Sequence, residues 1–526
     1  PSSSSSSSSL PPPPSSSSSS PPPPSQPVSR IEQFHQAYKE GSATPVQVVK
    51  KMLSSLLLLQ PKYKIFVDYQ EQDILAQARA SEARYKARAH LSVFDGVPVA
   101  VKDMLPVKGY VSTYGSASNA ANEPETEDDP LVARFRELGA IIIGTTTMTE
   151  GGVTPLGYCV AHKGPFNPYN TKYYSGGSSS GSAVAVALGV CPLAIGFDGG
   201  GSIRIPAALS GVVGLATTFG RLGYLTPLAT TMIKGGPMTS TVADAALSYA
   251  AMADVPKDHF YSTLYDGGDR GVPPPHLYGF APTTSNEQQT SSASASALLL
   301  SGKRVGVFQD HFDDSNPAVL EVCRNSVFRL QQLGAELVQI AIPNIGWWRL
   351  AHAMKISTEF AQTWDAKYSQ NTELEANTRI TVGLGRTMSA LEVLAAERLR
   401  RYAFDYMHEL FANNTLDAIV SPTLPMSAPV LSEAAQLDGE SNTPLVVEMM
   451  KFIFLANFLG LPAITVPIGH DSSNQMPVGL QFVGDHWEDT ALLTIVRAVE
   501  MDISATAAPG VLHKPEDFVD LLHSLN

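Results

Sequence analysis

Apolar residues recur at helical spacing in "TPVQVVKKMLSSLLLLQ", where Thr44 stands as the N-cap and Pro45 at the first helical position. "ILAQARASEARYKAR" is helical by period and propensity. "GVPVAVKDML" reads as a short β-branched strand that ends at a lysine, and "PLVARFRELGAIIIGTTT" as helix, glycine, then buried strand. "KRVGVFQD" and "PAVLEVCRNSVFRLQQLGAELVQIAI" repeat the alternation as strand, helix, strand. "DAIVSPTLP" and "PAITVPIG" add strands, and "PVGLQFVG" precedes the helix "DTALLTIVRAVEM". Alternation of this kind predicts an α/β fold: a mixed, largely parallel sheet with helices on both faces. There is no short tandem repeat.

The pattern fails in three places. Residues 1–28 are almost all Ser and Pro and offer nothing to bury, so disorder is expected there. That segment lacks the basic and apolar regions of a secretory signal. The chain opens on Pro1 rather than Met, which leaves room for an upstream segment. Residues 272–301 read as a low-complexity surface insertion, and 506–526 as an irregular tail. The rest, 29–505, reads as one domain, although length alone would suggest about three.

Composition narrows the function. The 526 residues are 44% hydrophobic and 16% charged, which suits a large core. A net charge of -13 argues against nucleic acid as a partner, since phosphate binding needs a basic surface. The cysteines at 159, 191 and 323 have neither metal-like spacing nor the number for a disulfide framework. They point to a reducing compartment, read as the cytoplasm. Apolar runs break well short of about 18 residues, so no transmembrane segment is expected. No His/Cys/Asp cluster has ligand spacing, so no metal is expected.

Two Gly/Ser stretches, "YSGGSSSGSAVAVALG" and "GFDGGGSIRIP", sit beside the most apolar part of the chain. They could be plain loops. A phosphate loop is set aside, because the P-loop lysine is missing. Gly177 to Gly181 fits the nucleophile elbow G-x-S-x-G with Ser179 central, but the turn-rich "NPYNTKYYSG" before it makes a poor strand. A further reading joins three pieces. Lys102 ends an apolar strand, and desolvation there would favour its neutral, basic form; a surface lysine at a strand end is the plainer alternative. Ser202 follows Gly199, Gly200 and Gly201, whose N–H groups could converge as an oxyanion hole. Ser178 could then pass a proton from Ser202 to Lys102.

The motifs "GVPVAVKD", "GGSSSGSAVAVALG", "DGGGSIRIPAALSGVVGL" and "NFLGLPAITVPIGHDSSNQMPVGLQFVGDHWEDTALL", in that order, resemble the amidase signature family. The likeness covers roughly residues 31–250 and 302–500 and is most like plant-type fatty acid amide hydrolases and related eukaryotic amidases. It implies a large α/β domain on a mixed, twisted central sheet, no cofactor, and a small-molecule amide, or an ester, as substrate. It implies Lys102 as base, Ser178 as the bridging serine after a cis peptide, and Ser202 as the acylated nucleophile. The N–H groups of Gly199, Gly200, Gly201 and Ser202 match the oxyanion loop. Ser179 and Asp198 match positions that hold the relay, and Arg204 the arginine after the nucleophile, where an ion pair with Asp198 is expected. A homodimer is left open. Phe197, Ala216 and Ser180 depart from the family's usual Thr, Lys and Gly. Two other readings stay open: a glutamyl-tRNA amidotransferase A-like subunit, which would need partner proteins, and a catalytically silent binding protein on the same fold. "MMKFIFLANFLGLP" reads as a buried core helix, with an acyl-channel wall as the alternative.

Overall fold

The computed structural model describes residues 29–224, 231–253, 299–369, 374–506, 513–523 and 525. The Ser/Pro-rich opening, and the insertion read at 272–301 up to residue 298, lie outside them. Eleven strands form one sheet: β1 (Phe66–Asp68), β2 (Pro98–Lys102), β3 (Ile141–Thr146), β4 (Leu193–Asp198), β5 (Val213–Ala216), β6 (Lys234–Thr239), β7 (Arg304–Phe308), β8 (Glu336–Ile340), β9 (Ala418–Pro422), β10 (Ala463–His470) and β11 (Pro477–Val483). Their order is β1-β3-β2-β4-β6-β5-β10-β11-β9-β7-β8.

The sheet is mixed, as expected, but not largely parallel. Two parallel blocks, β3-β2-β4 and β9-β7-β8, flank an antiparallel centre of β6, β5, β10 and β11. In the blocks, helices such as Pro130–Glu137 and Pro317–Gln332 intervene between paired strands and let them run the same way. The centre has another origin: β10 and β11 are successive strands joined by a short turn.

The faces follow from the period of two. Val213 and Leu215, Ile464, Val466 and Ile468, and Val478, Leu480 and Phe482 share one core with the helices Val242–Ala253, Pro317–Gln332 and Asp489–Thr506. The other face takes the helix Arg204–Ser210, so close that a side chain at Gly214 or Gly479 would meet Ala207 or Ala208. The helix Pro45–Tyr63 opens with the expected Thr44 cap, a full capping box with Gln47. Residues 513–523 carry no regular element, yet they lie against the domain: the Val519 N–H donates to the Leu188 carbonyl at 2.8 Å, and Asp520 pairs with Arg30 at 2.7 Å. Among the described residues no helix is long and apolar enough to cross a membrane.

Topology also places the chemistry. β2 is parallel to β4, so the C-terminal residues Lys102 and Asp198 reach the same end of the sheet. β6 runs the other way and starts there, with Lys234 opposite Asp198.

Candidate active site

Lys102 is 1% exposed. Its Nζ donates to Ser178 Oγ at 2.7 Å and to the Phe197 carbonyl at 3.4 Å. Burial pulls its pKa down to about 7, against a smaller upward pull from Asp198. At neutral pH a large share of this amine is therefore uncharged, with a lone pair to offer.

Ser178 is held by backbone geometry. The Gly177–Ser178 peptide is cis, and Gly176 has φ 79°. A side chain at Gly176 would run into Pro206 Cα at 2.8 Å, and one at Gly177 into the Thr154 carbonyl at 2.8 Å. Only glycine fits at either position, and the turn delivers Ser178 Oγ to the lysine. Ser179 is wholly buried: its Oγ donates to the Phe197 carbonyl at 3.2 Å, and its N–H donates to the Ser202 carbonyl at 3.1 Å. It ties β4 to the loop of Ser202. No strand leads directly into it, since irregular chain separates it from β3, and this goes against the nucleophile-elbow reading. The Phe197 ring packs edge-on against Tyr224 at 4.7 Å while its carbonyl serves Lys102 and Ser179, so the departure from threonine leaves those backbone contacts in place.

Ser202 is half-buried and opens on a cavity of about 230 Å³, whose wall also includes Lys102, Ser178, Gly199 and Gly200. Gly201 departs from the expectation. Its φ is 110°, and its N–H donates to Asp198 Oδ1 at 2.6 Å instead of turning to the cavity. It shapes the loop by clamping it to the aspartate. A Cβ there would strike Ile205 and Ile453 within 2.8 Å.

Asp198 and Arg204, both fully buried, form the expected ion pair through Nε at 3.0 Å and Nη2 at 3.1 Å. Burial works to raise the Asp198 pKa, but Arg204, and to a lesser degree Lys234 and Asn457, hold it well below the usual carboxylate range. The remaining Arg204 donors go to the Ile453 carbonyl, Gln481 Oε1 and Asn457 Oδ1 at 3.0, 3.2 and 2.5 Å. Asn457 Nδ2 in turn donates to the Asp198 carbonyl at 2.6 Å. Arg204→Met should strip this carboxylate of its partner while keeping the volume. The expected loss is about 3–5 kcal/mol of folding stability, read by urea unfolding. A change under about 1 kcal/mol would mean the pair is dispensable.

Four residues at or beside the site escaped the sequence reading. Asn457, Gln481 and Lys234 are lone polar residues inside apolar runs, and that isolation was the available signal. Lys234 is 1% exposed, donates to the Ala456 and Leu461 carbonyls, and is pulled down to about 7 by burial, with Arg204 adding to the fall. His352 had no sequence signal. Its Nε2 lies 3.4 Å from the Gly199 carbonyl, and burial lowers its pKa to about 4, so it is neutral at neutral pH. In "MMKFIFLANFLGLP", Phe454–Leu459 is the expected buried helix, and Met450 and Phe454 also line the cavity.

The mixed α/β sheet thus brings a buried lysine, two serines and a glycine loop to one cavity, and likeness to known proteins makes the chain a hydrolase of amide C–N bonds. The Amidase family profile matches residues 47–493, and the chain belongs to that family, the amidase signature enzymes. It is 32% identical over 508 residues to a fatty acid amide hydrolase of Arabidopsis thaliana, covering 94% of this chain and 79% of that protein. It is 30% identical over 465 residues to the A-type subunit of the glutamyl-tRNA(Gln) amidotransferase of Cupriavidus pinatubonensis, covering 83% of this chain and 89% of that protein. The structure of a bacterial aryl acylamidase of the amidase signature family superposes with a TM-score of 0.73 at 22% identity, over 91% of this chain and 98% of that one.

Proposed function

We propose that the chain hydrolyses a carboxylic amide through an acyl-enzyme on Ser202, with Lys102 as base and Ser178 as the bridge between them. The single observation that carries this reading is the buried Lys102 Nζ at 2.7 Å from Ser178 Oγ, beside the cavity onto which Ser202 opens. Neutral Lys102 draws the Ser178 proton, and Ser178 draws that of Ser202, whose oxygen attacks the carbonyl carbon. Negative charge then gathers on the carbonyl oxygen, where the N–H groups of Gly199, Gly200 and Ser202 receive it. The proton returns by the same path to the leaving nitrogen, and water releases the acid.

An apolar acyl group suits the cavity, whose wall includes Ile356, Phe360, Ile380, Leu384, Val446 and Phe454. The likeness to fatty acid amide hydrolases supports the same choice. The likeness to the amidotransferase supports a second reading, glutaminase chemistry with partner proteins, which co-purification and glutamine turnover would reveal.

A fluorophosphonate probe should label the protein once, and peptide mapping should place the adduct on Ser202. An adduct on Ser179 or Ser178, or no labelling of folded protein, would defeat the assignment.

A further inference from the structure

The helix Ile345–Ser369 presents one continuous stripe to the cavity: Arg349, His352, Ala353, Ile356, Ser357 and Phe360. This is the i, i+3, i+4, i+7 spacing of a single helical face. His352 marks the reacting centre, since its ring meets the Gly199 carbonyl. Ile356 and Phe360 continue one and two turns toward the C-terminus as an apolar wall. Arg349 lies one turn the other way, about 5 Å along the axis. The reacting centre thus has an apolar track on one side and a guanidinium on the other.

Among the described residues that guanidinium is ion-paired with no carboxylate, although Asp314 and Glu448 act on it electrostatically. Arg349 makes no ion pair there, and its Nε is buried without a hydrogen-bond partner. Its Cζ lies 6.0 Å from the centroid of Phe454, a ring that also lines the cavity. The nearby acids are engaged elsewhere, because Lys451 Nζ holds Asp314 at 2.9 Å and Glu448 at 2.6 Å. His311, a further basic side chain of this corner, is kept neutral by burial and by Arg349 and Lys451, with a pKa of about 3. A half-buried guanidinium with open donors on a cavity wall is suited to an anion with planar acceptor geometry.

We infer that Arg349 binds a carboxylate on the leaving group, so that the substrates include N-acyl amino acids with an apolar acyl chain. This rests on the amide-hydrolase reading above. The acyl chain follows the Ile356–Phe360 track, the amide carbonyl sits at the glycine loop, and the amino-acid carboxylate reaches Arg349. No new bond chemistry is involved: water and the amide give a fatty acid and an amino acid.

The test uses matched N-acylglycine and N-acylethanolamide of one chain length, with the intact 526-residue chain. The wild type should favour the acylglycine in kcat/KM, mainly through KM. Arg349→Gln should lower that preference by roughly 10- to 100-fold, as expected for loss of a charge-assisted hydrogen bond, and Arg349→Lys should retain part of it. An unchanged ratio in Arg349→Gln, or a wild type without the preference, overturns the inference. A preference shown instead for the ω-amide of a dicarboxylic acid would put the carboxylate on the acyl side and overturn it as well. Calorimetry on Ser202→Ala separates this from the mechanism: the variant should bind the acylglycine more tightly than the ethanolamide, and Ser202→Ala/Arg349→Gln should not. If neither amide is turned over yet that binding difference holds, the catalytic reading fails and the Arg349 assignment stands.

Discussion

Ser202→Ala is expected to lower turnover on the order of 10⁴- to 10⁶-fold, the scale seen when a hydrolase loses its nucleophile. The fold should tolerate the change. Ser202 is half-buried, and the loop around it is fixed by other groups: Asp198 takes the N–H groups of Gly201 and Ile203, and the Ser179 N–H donates to the Ser202 carbonyl. That last contact is to backbone and survives the substitution. Unfolding free energies within about 0.5 kcal/mol of wild type are expected, as for changes away from packed or paired groups. If the alanine variant kept more than a few per cent of activity, the acyl-enzyme would have to form on another residue.

Lys102→Ala is expected to cost roughly 10²- to 10⁴-fold, the usual range for a positioned base. Lys102→Arg should not restore activity, because arginine stays protonated and has no lone pair to offer. In the wild type, kcat/KM should rise as pH climbs through about 7 and level off above it, since burial lowers this lysine to about 7 and only its neutral form accepts a proton. The same shift has a stability consequence whose sign is fixed. Unfolded, the lysine titrates near 10.5, so between about pH 7 and 10 the unfolded chain holds a proton that the folded chain lacks. Folding stability should therefore rise with pH across that window, by at most about 1.4 kcal/mol per unit for this one group. Lys102→Ala should lessen the slope, and Lys234, lowered in the same direction, should supply part of what remains. A pH profile flat from 6 to 9, with small and equal losses on amide and ester in Lys102→Ala, would mean that the lysine only fills space.

The helices and outer strands were legible because period and caps are local. Thr44 with Pro45, the β-branched run before Lys102 and the Pro317–Gln332 unit with its flanking strands all appear where their patterns put them. In the centre of the sheet "PAITVPIG" was legible as β10, but β5 and β6 were not. β6 is "KGGPMT" and β5 is "VGLA"; both are buried throughout and show neither alternation nor a β-branched run. Their pairing with β4 and β10 is set by packing between distant segments, which no window contains. The site divides the same way. Ser178 and Ser202 stood out through Gly/Ser stretches beside an apolar run, and Lys102 as the lysine that ends an apolar strand. The glycine loop was read as three equal donors, whereas Asp198 takes one of them through a contact three residues long. His352 and Arg349 sit on a helix whose sequence gives no hint of a cavity.

The cavity draws Lys102, Ser178 and Ser202 from one stretch of the chain and much of the rest of its wall from 349–384 and 440–454. The two sets meet at fixed points, among them His352 on Gly199, Glu375 on Glu150 and Val160, and Glu440 on Tyr174. Selection can therefore rewrite much of the wall while Lys102, Ser178 and Ser202 keep their places, provided those anchors stay. One chemical engine can in this way be fitted to many amides by drift in the second half of the chain. Libraries aimed at new substrates should vary residues 353–384 and 440–450 and leave the anchors alone.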